Sequence, residues 1–278
     1  MEGGRPMGPD DLIMSVQTVS TSDFRVRVEA AAAAGYVGIG MRPSTYREAR
    51  RDGATDAQLR AILDDYGVRV SELEVLGGWA QGGEVGAKSR AYEERLFEIA
   101  DALGGRHLIA NTELEESLEV TAELFGALCD RAAAYGLLVG IEFLPWTSLP
   151  DVATAWEIVR IADHPNGGIL VDTWHHYRGS ADDECLRAVP GSKVVAVHFN
   201  DADAAPIGDL LDDTLHRRRV PGEGAFPLVD FVRNLDGMGV RVPYSVEVIS
   251  DELAALPAAE AARLTADATR SVLERARG

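Results

Sequence analysis

The feature that most constrains the fold is an alternation. Short β-rich runs and longer helical segments follow one another eight times along the 278 residues. The expected strands are 12–16, 37–41, 68–75, 107–110, 137–143, 169–172, 194–199 and 244–249. Each is apolar or alternates with period two, as buried strands do. The expected helices are 23–35, 55–66, 88–103, 117–135, 151–162, 182–189, 226–238 and 251–277. Cap residues such as Asp23 and Asp151 open them, and Gly35, Gly104 and Gly136 close them. Strict alternation calls for parallel strands joined by helical crossovers. Eight units in about 250 residues is the pattern of an α/β fold closed as a single (β/α)8 TIM barrel. An open doubly wound sheet would want a glycine-rich phosphate turn after the first strand, and Val16-Gln17-Thr18-Val19-Ser20 has none. One domain is therefore expected over residues 1–278, with residues 1–10 disordered.

Charge narrows the partners. With 27 Lys and Arg against 45 Asp and Glu the net charge is −18, a poor basis for binding a phosphate backbone. No apolar run reaches the ~18 residues that span a bilayer, and MEGGRPMGPDDL lacks the apolar core of a secretory signal. Cys129 and Cys185 cannot build a disulfide framework or an all-cysteine zinc site and are expected to pack in helices. These features point to a soluble cytoplasmic protein with a small-molecule substrate, with neither nucleic acid nor membrane as partner.

In a barrel of this kind the active site lies at the C-terminal ends of the strands. Four side chains there end apolar runs on consecutive strands five to eight: Glu142, Asp172, His198 and Glu247. Three converging carboxylates repel one another unless a cation lies among them. One imidazole with several carboxylate oxygens suits Mn2+, Mg2+, Co2+ or Zn2+.

The segments GIEFLPW, VDTWHHYRG, VHFND, RVPGEG and SVEV, in this order and at strand ends, resemble the xylose-isomerase-like TIM-barrel superfamily of sugar isomerases and epimerases. The resemblance covers nearly the whole chain and is strongest over 137–249. It implies one divalent metal, Mn2+ foremost, held by Glu142, Asp172, His198 and Glu247. It also implies that His175, three residues after Asp172, contacts substrate, that Arg219 reaches a substrate oxygen, and that Glu142 and Glu247 exchange protons with substrate. The implied activity is isomerisation or epimerisation of a sugar, keto-polyol or related hydroxy-carbonyl compound through an enediolate. The same chemistry ends in a lyase if a β-hydroxyl is lost, as in a dehydratase of a cyclic keto acid or an eliminative deglycosidase. A non-catalytic sugar-binding barrel is the alternative outside catalysis.

Two departures bear on the subfamily. Epimerases of the superfamily place another glutamate shortly after the strand-five ligand, where this chain has Leu144-Pro145-Trp146-Thr147-Ser148. Endonuclease IV uses extra histidines at early strand ends, where this chain offers Gln17, Arg42, Glu74 and Asn111.

Trp79, Trp146 and Trp174 follow strands and are expected near the mouth, with Trp146 and Trp174 as stacking surfaces for a ring-shaped substrate. His176 and Tyr177 are candidate polar contacts. Few basic residues flank the strand ends, which favours an unphosphorylated substrate. The connection 200–225 is long for its kind and is expected to act as a lid or as a subunit contact in a homo-oligomer.

Overall fold

The computed structural model describes all residues except 1–4, 20, 22 and 52. Eight parallel strands close into a barrel in chain order, β1 to β8. They are β1 (Leu12–Met14), β2 (Gly38–Met41), β3 (Arg69–Gly77), β4 (His107–Asn111), β5 (Leu138–Glu142), β6 (Gly167–Asp172), β7 (Val194–Phe199) and β8 (Tyr244–Val246). β8 closes on β1 with Ile13 beside Ser245. The protein is a single (β/α)8 TIM barrel.

The helices form the outer layer. They are α1 (Phe24–Ala33), α2 (Pro43–Ala49), α3 (Asp56–Tyr66), α4 (Gly83–Leu103), α5 (Leu118–Ala133) and α6 (Val152–Ala162) in the first half. In the second half come α7 (Thr173–Arg178), α8 (Asp183–Ala188), α9 (Leu210–His216), α10 (Leu228–Gly237), α11 (Asp251–Ala254) and α12 (Ala258–Arg277). Local chemistry sets their ends. Thr55 and Gln58 make a reciprocal capping box at α3, and Gly67 closes it at φ 65°, where a side chain would be strained. Asp23, Ser117, Asp151 and Asp182 cap α1, α5, α6 and α8 through their side-chain oxygens. The last helical segment, expected to be continuous over 251–277, is instead divided at Pro257 into α11 and α12. Pro257 has no N–H to continue the first piece.

The main core lies between strands and helices, with Leu73, Phe125, Val139, Ile169 and Phe231 fully buried in it. A smaller apolar layer of Ile109, Leu170 and Ala196 forms a separate cluster packed against Val75. Cys129 is buried in α5 and Cys185 is half-buried in α8, both as free thiols. Of the segment 1–10, residues 1–4 lie outside the described residues. Arg5 pairs with Asp11, and Ser71 donates to the Met7 sulfur.

Candidate active site

Each member of the carboxylate and imidazole cluster is delivered by a strand. Glu142 ends β5, Asp172 ends β6, His198 lies one residue before the end of β7, and Glu247 follows β8. The parallel register sets Asp172 beside His198. One ligand atom from each of the four lies within 4.8 Å of the others, and all four residues are buried. His198 Nδ1 lies 3.1 Å from Glu247 Oε2, 3.6 Å from Glu142 Oε1 and 3.8 Å from Asp172 Oδ2. This nitrogen makes no hydrogen bond of good geometry despite its burial. A buried ring nitrogen facing three carboxylates, close to Glu247 but in no hydrogen bond of good geometry, completes the donor set of a divalent cation site of one imidazole and hard oxygens. The four residues fit such an ion.

The neighbours orient these four side chains. Asp172 Oδ1 caps α7 by accepting from the Trp174 N–H at 2.6 Å, and it also accepts from Asn200 Nδ2 at 3.1 Å. That fixes Oδ2 toward the cluster. Glu247 Oε1 accepts from the Ser15 hydroxyl at 3.0 Å. Arg218, fully buried, donates through Nη1 to Asp172 Oδ2 at 2.8 Å and to Glu247 Oε2 at 3.0 Å. Burial works against every charge here. His198 and Arg218 nonetheless hold Glu247 well below the usual carboxylate range. Arg218 and His175 hold Asp172 down against the same penalty. For His198 the Glu247 and Glu72 carboxylates overcome burial and raise the imidazolium well above the usual histidine range. His175 goes the other way, since burial dominates and lowers it.

A cavity of about 190 Å³ opens onto the cluster. Gln17, Arg42, Glu74 and Asn111 from the early strand ends line one side, with Trp146 and His175 at another. Glu74 is fully buried and raised to about 7 chiefly by burial, with Arg42 opposing. Its carboxylate needs the space that Gly40 leaves, because a Cβ there would collide with Glu74 Oε1. Part of the 200–225 connection, including α9, supplies a wall through Leu211, Thr214, Leu215 and Arg218.

Several expected residues are placed otherwise. Arg219 does not line the cavity. Its guanidinium binds Asp203 and Glu252 on the exposed side, and the preceding Arg218 is the arginine at the cluster. Trp174 is fully buried behind the pocket, with Nε1 donating to Asp213 at 3.2 Å and its ring 5.8 Å from the Arg218 guanidinium. Trp79 packs against Phe125 under the helices. His176 is paired with Asp183, and Tyr177 packs against Phe226. Trp146 keeps its place at the mouth, partly exposed, with its ring 5.3 Å from that of His175.

Comparison with known proteins agrees with this architecture. The profile of the xylose isomerase-like TIM barrel matches residues 28–272. A 3-dehydroshikimate dehydratase of Pseudomonas aeruginosa is 30% identical over 254 residues, which is 87% of this chain and 39% of that protein. The chain spans about two fifths of the length of the dehydratases it matches. An inosose isomerase of Bacillus velezensis is 29% identical over 189 residues, 65% of this chain and 66% of that protein. Among solved structures, the IolI protein with a bound zinc atom superposes with a TM-score of 0.86 at 24% identity, covering 95% of this chain and 98% of that one. At that identity the likeness speaks to the fold. With the profile running from α1 into α12, the chain belongs to the xylose isomerase-like TIM barrel family.

Proposed function

We propose that the protein is a metal-dependent isomerase or epimerase of a sugar, keto-polyol or related hydroxy-carbonyl compound, acting by proton abstraction beside the carbonyl. The observation that carries this reading is the four-residue cluster, with ligand atoms within 4.8 Å of one another, three of whose members, Glu142, His198 and Glu247, line the cavity. A bound divalent cation supplies Lewis-acid polarisation of a substrate carbonyl. Three oxygen ligands and one nitrogen favour Mn2+, with Mg2+, Co2+ and Zn2+ as the other candidates.

The protein's own groups divide the remaining tasks. Glu247 is held on one oxygen by Ser15 and on the other by His198 and Arg218. Glu142 has its Oε1 near two imidazoles, at 3.6 and 3.9 Å, so it is the less restrained of the two carboxylates. Glu142 and Glu247 take and return the substrate proton. His175 presents a ring nitrogen to a substrate hydroxyl, and Trp146 covers one face of the substrate. Where Arg219 was expected to reach a substrate oxygen, the neighbouring Arg218 stands at the site and holds two carboxylates in place. The α9 wall excludes water.

A second reading, a lyase that loses water from the same carbanion, is favoured by one comparison. The 3-dehydroshikimate dehydratases align over 87% and 93% of this chain, whereas the inosose isomerase aligns over 65%. A panel including inosose and 3-dehydroshikimate, incubated with Mn2+-loaded protein in D2O and followed by NMR, separates the readings. Deuterium uptake with conserved composition supports isomerase or epimerase. Loss of water supports the lyase. Neither exchange nor loss across the panel would sink both.

A further inference from the structure

Inside the barrel, next to the carboxylate cluster, lies a charged group that the proposed chemistry leaves unused. Glu72 of β3 is fully buried in the barrel. Its Oε1 is 3.4 Å from His198 Nε2 and 3.5 Å from His107 Nε2. Among the described residues no lysine or arginine pairs with it. Its charge is offset by these two imidazoles, burying a carboxylate is costly, and neither of its oxygens makes a hydrogen bond of good geometry.

The order of donors and acceptors along this line is determined by chemistry. Arg106 Nη1 lies 3.2 Å from His107 Nδ1. A guanidinium only donates, so His107 Nδ1 accepts, and its proton resides on Nε2, facing Glu72. A carboxylate only accepts, so His198 must also present an N–H from Nε2. Nδ1 of His198 is the atom turned toward Glu142, Asp172 and Glu247.

We propose that Glu72 is a positioning residue for the metal site. It holds His198 in the Nε2–H tautomer with the Nδ1 lone pair directed into the cluster, and Arg106 and His107 hold Glu72 from the N-terminal end of β4. A metal-bound imidazole is generally oriented in this way by an acceptor on its other nitrogen. This inference rests on the metal reading of the site.

Its test uses Zn2+ as a diamagnetic probe and has two readouts besides activity. The first is the His198 tautomer in 15N-labelled, Zn2+-loaded wild type, from long-range proton–nitrogen couplings. The expected result is a proton on Nε2 with Nδ1 as the ligand. The second is Zn2+ affinity by competition with a chelator. Glu72→Leu is expected to lose about 10–100-fold, while Glu72→Gln, which keeps an acceptor oxygen, recovers part of that loss. A proton on Nδ1 with the ion on Nε2 overturns the proposal, as does wild-type affinity in folded Glu72→Leu. If Glu72→Leu does not fold, the wild-type tautomer decides. A wild-type protein that binds no ion at all overturns the metal reading and this inference with it, a result distinct from unchanged affinity in the variants.

Discussion

Arg218 and Arg219 are neighbours in sequence with opposite surroundings. Arg219 pairs with Asp201 in an antiparallel bridge, and Arg217 pairs with Ser250. The two bridges fix the backbone on either side of Arg218, whose side chain turns inward onto Asp172 and Glu247. The run Arg217-Arg218-Arg219 carries no mark of which member does so, because the phase is set by bridges to distant residues. The two positions predict different losses. Arg218→Leu leaves Asp172 and Glu247 without their buried cation and should destabilise the metal-free protein by about 3–5 kcal/mol in urea unfolding. Arg219→Leu breaks half-exposed pairs and should cost at most about 1 kcal/mol. Equal losses would contradict the placement. The proton-transfer assignment is tested at Glu142 and Glu247. Each Gln variant, saturated with metal and with occupancy measured, should lose ~10²–10⁴-fold in rate and stop exchanging the substrate α-proton with solvent. If both still exchange at the wild-type rate, His175 becomes the base to examine.

At the scale of elements, long periodic helices and the capped short α8 were readable from the sequence, and the short α2, α7 and α9 were not. α2, α7 and α9 have seven, six and seven residues, too few to show a helical period. They form because tertiary contacts hold them. α7 starts on the Asp172 side chain, and α9 is tied down by buried Asp213, which accepts from Trp174 Nε1, Arg178 Nε and the Ile207 N–H. Strand β3 shows the same limit. Its apolar positions Val68, Val70, Leu73 and Val75 break step between 70 and 73, and the pairing register of β2 with β3 shifts there. Glu72 sits at that break, so the pattern gave no reason to place it inside the barrel. Because Asp213 anchors the wall over the cavity, Asp213→Ala should speed hydrogen exchange over 207–216 and raise KM more than it lowers kcat. Unchanged exchange there would mean that the wall is held by other contacts.

For the whole molecule, alternation called for a parallel sheet with crossovers, and the count of eight units with no glycine-rich turn after the first strand pointed to the closed barrel over an open sheet. The cluster of Glu142, Asp172, His198 and Glu247 was legible for another reason: these side chains end apolar runs on consecutive strands, and three converging carboxylates repel one another without a cation. What surrounds them, Arg218, Glu72 and Ser15, depends on register and was not legible. No helix among the described residues is long and apolar enough to cross a membrane. The cluster makes stability depend on pH with a sign that the metal reverses. In the metal-free protein, Glu74 is raised from 4.5 to about 7, so its contribution is complete below 4.5 and lost as pH rises through about 7. His198 is raised above 6.5, so its contribution is complete below 6.5 and lost as pH rises through its higher folded value. Glu72, lowered from 4.5 to about 2, is already at full effect above 4.5. Glu74 and His198 in chelated protein should therefore contribute less at about pH 8.5 than at about 5.5, against the opposite drift of His175 and His107, which burial lowers from 6.5, whereas an ion, which takes the place of the His198 Nδ1 proton, should stabilise more as pH rises. Thermal melts with and without chelator across that range check the opposing slopes. Chelation should also abolish turnover, with Mn2+ or Co2+ restoring it at least as well as Zn2+.

The proposed chemistry requires one ion held by Glu142, Asp172, His198 and Glu247. Calorimetric titration of chelator-treated protein with Mn2+, wild type beside His198→Ala, tests this most directly. The predicted result is one site per chain in the wild type and a large loss of affinity in the variant. No stoichiometric site in the wild type, or a site equally tight without the imidazole, would contradict it.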